Sequence, residues 1–360
     1  MSAVAWAASV AIAPREEALT FARLESPSGP RVLAVTRYAG GEVEGVDLSV
    51  LLGRPVSDPI AALEAEGWDG LRERIEGAPA TAAVRAPAAA LLTPVDLGAH
   101  HVAVGTNYPE HAGEASVTEG PFLFAKLVAP TGSRAPVAVG DALLDYEVEL
   151  AFVPLQPLRE GDRPATMGLI LCNDYTDRAL LLRHVDVADP TSGKGFTTGK
   201  SLPGYLPVGD LFVVPRDLRA FAAGLDLGLW VNGAPRQQAR VAEQIWDLDR
   251  VLAETWARRE VTWAHRGEQV SLLAPDGTIP ARALIMSGTP GGTVFKGVGW
   301  GTRLRGVWSW LRGGGSMPIT AQVIETYIDE ARATRGYLQP GDRVTIRVDR
   351  LGVIENAIVP

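Results

Sequence analysis

Along the first ninety residues, short apolar runs alternate with turn residues. The segments 19–24 (LTFARL) and 31–38 (RVLAVTRY) have the β-branched and aromatic content of strands, with a turn from Ser26 to Pro30 between them. VEGVDLSVLLG then reads as another short strand and a turn, and 59–67 and 71–75 read as short helices. The Ala/Pro-rich stretch 77–90 has the composition of a linker. After His100 the chain is strand-rich: HHVAVGTNY, PFLFAKL, DYEVELAFV, LGLWVNG, VSLLAP, ALIMSG and DRVTIRVDRLGVIENAIV all carry strand patterning. MGLILCNDYTDRALLLRHV reads as a buried run, a polar turn and then a helix. Longer helical patterning is confined to 241–259 and 321–335. The pattern predicts a mainly β fold with some helices rather than a doubly wound sheet. It divides into a small structural N-terminal domain (1–98) and a second, larger domain (99–360).

A length of 360 residues has room for two such units, and 46% hydrophobic with 21% charged residues is ordinary globular composition. A net charge of −8 argues against broad nucleic-acid binding, which needs a basic face. The lone Cys172 excludes an intrachain disulfide framework and a Cys-rich zinc site. No apolar run approaches the ~18 residues of a membrane span. The uncharged start SAVAWAASVAIA (2–13) lacks the basic residues that open a secretory signal. It reads as a first strand or frayed start, with the stub of an apolar anchor or a signal-like core as the other readings. A cytoplasmic location follows from the first, a membrane tether from the second. GxGxxG, P-loop and GxSxG patterns are absent.

The chemistry-bearing fragments are individually weak. In DYEVEL, Glu147 and Glu149 are two apart in a strand pattern and so share one face. Alone, such a pair is usually a solvated strand surface. Asp174 follows an apolar run in LILCNDYTDR, where on its own it is a turn signal. Three carboxylates on facing strands would form a hard oxygen cage suited to Mg²⁺, Mn²⁺ or Ca²⁺. In NYPEHAGEA, His111 and Glu114 are three apart after a helix start at Pro109, so the carboxylate can orient the imidazole as a general base. Lys200 and Thr289 stand in glycine-bordered turns, where Lys200 could neutralise an oxyanion.

Taken together and in order, these fragments resemble the fumarylacetoacetate hydrolase superfamily. The resemblance rests on Gly105 to Glu114, Phe124 to Lys126, Asp145 to Leu150, Asn173 to Arg178, Gly199 to Ser201, Ser287 to Pro290, Leu338 to Asp342 and Gly352 to Asn356. It covers residues ~100–360 and implies a mixed β-roll, usually homodimeric. It implies Glu147, Glu149 and Asp174 as metal ligands and His111 and Glu114 as a dyad on a lid that orders with substrate. Lys200 would face the substrate oxygens, and Lys126, Arg178 and Thr289 would lie on the substrate side or just behind it. The chemistry implied is metal-dependent cleavage of a C–C bond in a 1,3-dicarbonyl, acylpyruvate-like acid. Decarboxylation of a β-keto acid, keto–enol isomerisation and sugar-acid dehydration are alternatives on the same site, as is a membrane-peripheral binding protein without activity.

The sequence also departs from the family pattern. Thr106 replaces the usual arginine or leucine, Ser287 opens the S-G-T-P turn, and the segments 179–198 and 291–337 are long. Both long segments adjoin motifs, so the pocket mouth is expected to differ from that of small-substrate members. The second contains GWGTRLRGVWSWLRGGG, which sets Trp300, Trp308 and Trp310 beside Arg303, Arg305 and Arg312. One reading is contact with a membrane interface, aided by the apolar N-terminus. The other has Trp308 and Leu311 capping the site or packing in a dimer interface, with the arginines paired to acids.

Overall fold

The computed structural model describes residues 9–27, 29–115, 120–312, 315 and 317–360. Its centre is an 11-stranded sheet that runs across the chain. From one edge the order is Ala83–Pro87, Glu42–Asp47, Arg31–Ala39, Ala18–Leu24, Phe212–Pro215, Gly168–Asn173, Val148–Val153, Ile285–Met286, His101–Gly105 and Phe122–Lys126, with Leu91–Leu92 pairing to the side of Ala18–Leu24. Neighbours are antiparallel except for Ile285–Met286 beside His101–Gly105. A second, 5-stranded sheet orders Ala234–Arg240, Asp226–Val231, Arg343–Val348, Gly352–Val359 and Val137–Ala138. The fold is thus mainly β with helices at its margins.

The first hundred residues join this sheet directly. Phe21 is opposite Phe212 in the ladder between Ala18–Leu24 and Phe212–Pro215. Beneath it, the Tyr38 hydroxyl donates to Asp210 Oδ2 at 2.7 Å, Arg134 Nη1 donates to the same oxygen at 3.2 Å, and the Val353 amide donates to Asp210 Oδ1 at 3.0 Å. One apolar cluster extends from Val10 to Ile358.

Several elements differ from the sequence pattern. The segment 77–90 is not a linker: it holds the strand Ala83–Pro87, with Ala86 opposite Val43. This is the sheet's outer strand, where proline is tolerated because one side needs no ladder partner. The segment 241–259 is a one-turn helix, Val241–Glu243, followed by a separate helix Leu248–Ala257, which Asp247 restarts by accepting from the Arg250 amide at 2.8 Å. VSLLAP contributes only its first residue to a strand, Glu268–Val270. The apolar start has residues 1–8 outside the described residues, while Val10 bridges Tyr38 and Ala13 is buried. Among the described residues no helix is long and apolar enough to cross a membrane.

The segment 291–337 forms a helical hairpin, Trp300–Arg312 and Ile319–Thr334. Gly306 lets the helices approach: a Cβ there would lie 2.7 Å from Val323 Cα. With Thr302 and Gly306 turned inward, the outward-facing side of the first helix mixes exposed apolar residues, Trp300 at 78% and Trp308 at 62%, with the exposed Arg303, Arg305 and Arg312. Trp308 and Leu311 therefore do not cap the cavity. Arg305 pairs with Glu330, as an acid-paired arginine should, whereas Arg303 and Arg312 stack over Trp300 and Trp308.

Candidate active site

The acidic centre forms where one antiparallel ladder ends. Val148 is opposite Asn173 and Glu149 opposite Cys172, so the next pair outward is Glu147 and Asp174, whose amide donates to the Glu147 carbonyl at 2.9 Å. Residues facing each other across a ladder project to the same side. The two-residue spacing of Glu147 and Glu149 adds the third acid to that side. All three are buried, and one ligand oxygen from each lies within 4.8 Å of the others.

Cations surround two of the three. Lys200 Nζ donates to Glu147 Oε2 at 2.6 Å and to Asp174 Oδ2 at 2.7 Å. Arg178 donates to Glu147 Oε1 and, at 2.9 Å, to Asp145 Oδ2. Burial would raise the Glu147 carboxyl, but Lys200 and Arg178 outweigh it and hold the group at about 2. Glu149 has no cationic partner among the described residues. It accepts one hydrogen bond, from the Gly288 amide at 2.9 Å. Burial, reinforced by the Asp174 and Glu147 carboxylates, pushes its carboxyl well above the ordinary range. Four acids (Asp145, Glu147, Glu149, Asp174) thus face three cations (Lys126, Lys200, Arg178), and the uncompensated acid sits in the oxygen cluster. Glu147, Glu149 and Asp174 could hold a hard divalent cation, which would supply the missing charge, so the residues fit such an ion.

Lys126 lies behind this cluster, not on the substrate side. It is 0% exposed, and its three N–H groups go to Asp174 Oδ1 at 2.5 Å, the Lys200 carbonyl at 2.6 Å and the Tyr205 carbonyl at 3.0 Å. Lys200, with two acceptors, lines a cavity of about 490 Å³ together with Glu147, Arg178, Thr289 and His111. Thr289 is fixed through the second sheet: its hydroxyl accepts from Gln237 Nε2 at 2.9 Å, and Gln237 Oε1 accepts from the Val148 amide at 3.0 Å.

His111 and Glu114 share the helix Pro109–Ala115. His111 Nδ1 is 4.0 Å from Glu114 Oε2, close enough for charge interaction but beyond a hydrogen bond, and among the described residues it has no hydrogen-bond partner. Glu114 also accepts from Lys296 and from the Gly292 amide at 3.0 Å. Partial burial would raise Glu114, but His111, Lys296 and that amide bring it down to about 2.

This chemistry agrees with sequence comparison. The family model described as Fumarylacetoacetate (FAA) hydrolase C-terminal matches residues 100–359. The chain belongs to the fumarylacetoacetate hydrolase family. Among relatives, it is 25% identical over 269 residues to the oxaloacetate tautomerase YisK of Bacillus subtilis, covering 71% of this chain and 68% of that protein. Solved structures of similar fold include the fumarylacetoacetate hydrolase of Exiguobacterium antarcticum (TM-score 0.58, 20% identity, 95% of this chain and 99% of that one). Another is the maleylpyruvate hydrolase of Sphingobium sp. SYK-6 (TM-score 0.56, 22% identity, 94% and 99%). Fumarylacetoacetate-hydrolase-family proteins thus include hydrolases and a tautomerase, and a small-molecule substrate is consistent with the cavity.

Three contributors escaped the sequence reading. Asp145 holds Arg178 and also accepts from the Val294 and Phe295 amides at 2.9 and 3.2 Å. It lies inside DYEVEL, so its motif was the available signal. Gln237 and Lys296 carry no local signal: each reaches the site only through tertiary folding.

Proposed function

We propose that this chain is a divalent-cation-dependent hydrolase cleaving the C–C bond of an acylpyruvate-like 1,3-dicarbonyl acid. The observation that supports it most is that His111, Lys200 and Arg178 line one cavity together with Glu147, which belongs to a charge-deficient cluster with Glu149 and Asp174. Glu147, Glu149 and Asp174 would hold the ion, Mg²⁺ being the first to test, which would supply positive charge to the adjacent oxygens of a 2-oxo carboxylate. His111, with the Glu114 carboxylate 4.0 Å away to favour its protonated form, takes a proton from water. The water oxygen bonds to the distal carbonyl carbon, and the bond between that carbon and the intervening methylene breaks. The electron pair leaves as the enolate of a 2-oxo acid, which recovers the proton from His111. Lys200, which lines the cavity and has one N–H beyond those given to Glu147 and Asp174, would stabilise developing oxyanion charge.

The relative from Bacillus subtilis favours a second reading, keto–enol interconversion of oxaloacetate, in which the same imidazole moves a proton and no C–C bond breaks. Incubation of the Mg²⁺-loaded protein with acetylpyruvate and with enol-oxaloacetate separates the two. Pyruvate released from acetylpyruvate supports hydrolysis. Loss of enol absorbance with no pyruvate from either acid overturns it in favour of tautomerisation.

A further inference from the structure

The cavity continues well beyond the charged residues, and its extension is built from the two long segments. Leu181, Leu182, Val185 and Val187 come from 179–198, and Val323 and Ile324 from the helix Ile319–Thr334. Phe124 and Phe196 floor it, with ring centroids 5.4 Å apart. Among lining residues, ionisable side chains are confined to His111, Glu147, Arg178 and Lys200 at one end and to the exposed Arg303. A volume of about 490 Å³ lies within the ~300–1,000 Å³ of sites that enclose drug-sized ligands. A four-carbon dicarboxylate would leave much of the apolar wall wet and would face it with a charge.

Resting on the reading of the head end as a 2-oxo acid site, we propose that the substrate carries an uncharged aliphatic or aromatic tail of several carbons. The tail lies along Leu181, Leu182, Val185 and Ile324 while the oxo-acid head meets Lys200 and Arg178. The two long segments then determine specificity: each contributes one wall, and without either the tail would stay in water. Val187 and Ile319, 56% and 42% exposed, mark where the tail would emerge.

Calorimetric titration of the Mg²⁺-loaded protein with pyruvate, 2-oxohexanoate, 2-oxooctanoate and 2-oxodecanoate tests this without turnover. The expected result is a Kd that falls about threefold to fourfold for each methylene buried, until the cavity is filled. In Ile324→Asp the fall should shrink below twofold per methylene. If that variant melts early, Val185→Asp, on the facing wall and only half-buried, serves instead. A Kd constant within twofold across the series, or oxaloacetate binding more tightly than 2-oxooctanoate, overturns the proposal. A steep series with no cleavage of acylpyruvates would overturn the hydrolase reading and leave the tail site standing. Cleavage with a flat series would do the reverse.

Discussion

Lys126 and Lys200 hold opposite oxygens of Asp174, at 2.5 and 2.7 Å, and the Lys200 carbonyl accepts a further hydrogen bond from Lys126. The two ammonium groups differ in what remains free. Lys126 has every N–H engaged and no route to the cavity, whereas Lys200 faces it.

Lys126→Met should therefore act through stability. It leaves Asp174 with one cation and removes the donor to two buried carbonyls. Breaking a buried pair in this way costs about 3–5 kcal/mol. Urea denaturation should show that loss in the midpoint, and an unchanged midpoint would show that Lys126 is not the anchor of Asp174.

Glu149→Ala should abolish divalent-cation binding while the ion-free protein keeps its stability, because this carboxyl is the one that burial and its neighbours disfavour as an anion. Thermal melts supply the check. Saturating Mg²⁺ should raise the parent's Tm, by about 2.7 kcal/mol of stabilisation at a hundredfold excess over Kd. The variant should show no response, and an equal response in both would remove Glu149 from the ligand set.

His111→Ala should lower turnover by ~10²-fold or more, the usual size of general-base catalysis. Oxalate should still bind, since His111 is not among the acids and cations that would hold it. Steady-state rates and calorimetry on one preparation measure both.

Glu114 gives a pH prediction. Its folded value of about 2 lies below the ordinary 4.5, so its contribution to stability is complete above pH ~4.5 and is lost as pH falls toward 2. The urea midpoints of parent and Glu114→Gln should differ at pH 6 and converge near pH 2. A gap that widens on acidification would contradict the assignment of the low value to this residue.

Gly288→Ala should destabilise the site it supports. Gly288 has φ +83°, and an added Cβ would lie 2.8 Å from Asn107 Cβ. Asn107 cannot yield easily, since its amide donates to the Ser287 and Trp246 carbonyls and accepts from the Trp246 amide. Left-handed strain alone costs about 1–3 kcal/mol. A matching drop in thermal stability, with weakened Mg²⁺ binding through Glu149, is the expected result.

Much of the acidic cluster was legible because strand periodicity is local. The spacing of Glu147 and Glu149 fixes their common face, and Asp174 one residue past the apolar run LILCN is where a ladder partner of Glu147 would stand. The side of the cluster taken by Lys126 was not legible, since FLFAK is apolar on both faces and alternation assigns neither to the cavity. The helix Trp300–Arg312 was obscured by its glycines, which are poor helix formers in isolation. Gly306 is used instead for a close approach to Val323, a tertiary reason invisible to propensity. The strand Ala83–Pro87 was hidden likewise, because alanine and proline are weak strand formers and its pairing with Glu42–Asp47 is set by the neighbouring strand.

The family match begins at residue 100, whereas the hydrogen-bonded sheet begins at Ala18. A chain cut at that family boundary would leave the Phe212–Pro215 strand as a raw edge, its partner gone and Asp210 without the Tyr38 hydroxyl. Unpaired edges of this kind recruit other chains. The two segments therefore shield one another, since each of Ala18–Leu24 and Phe212–Pro215 covers an edge that the other would otherwise expose.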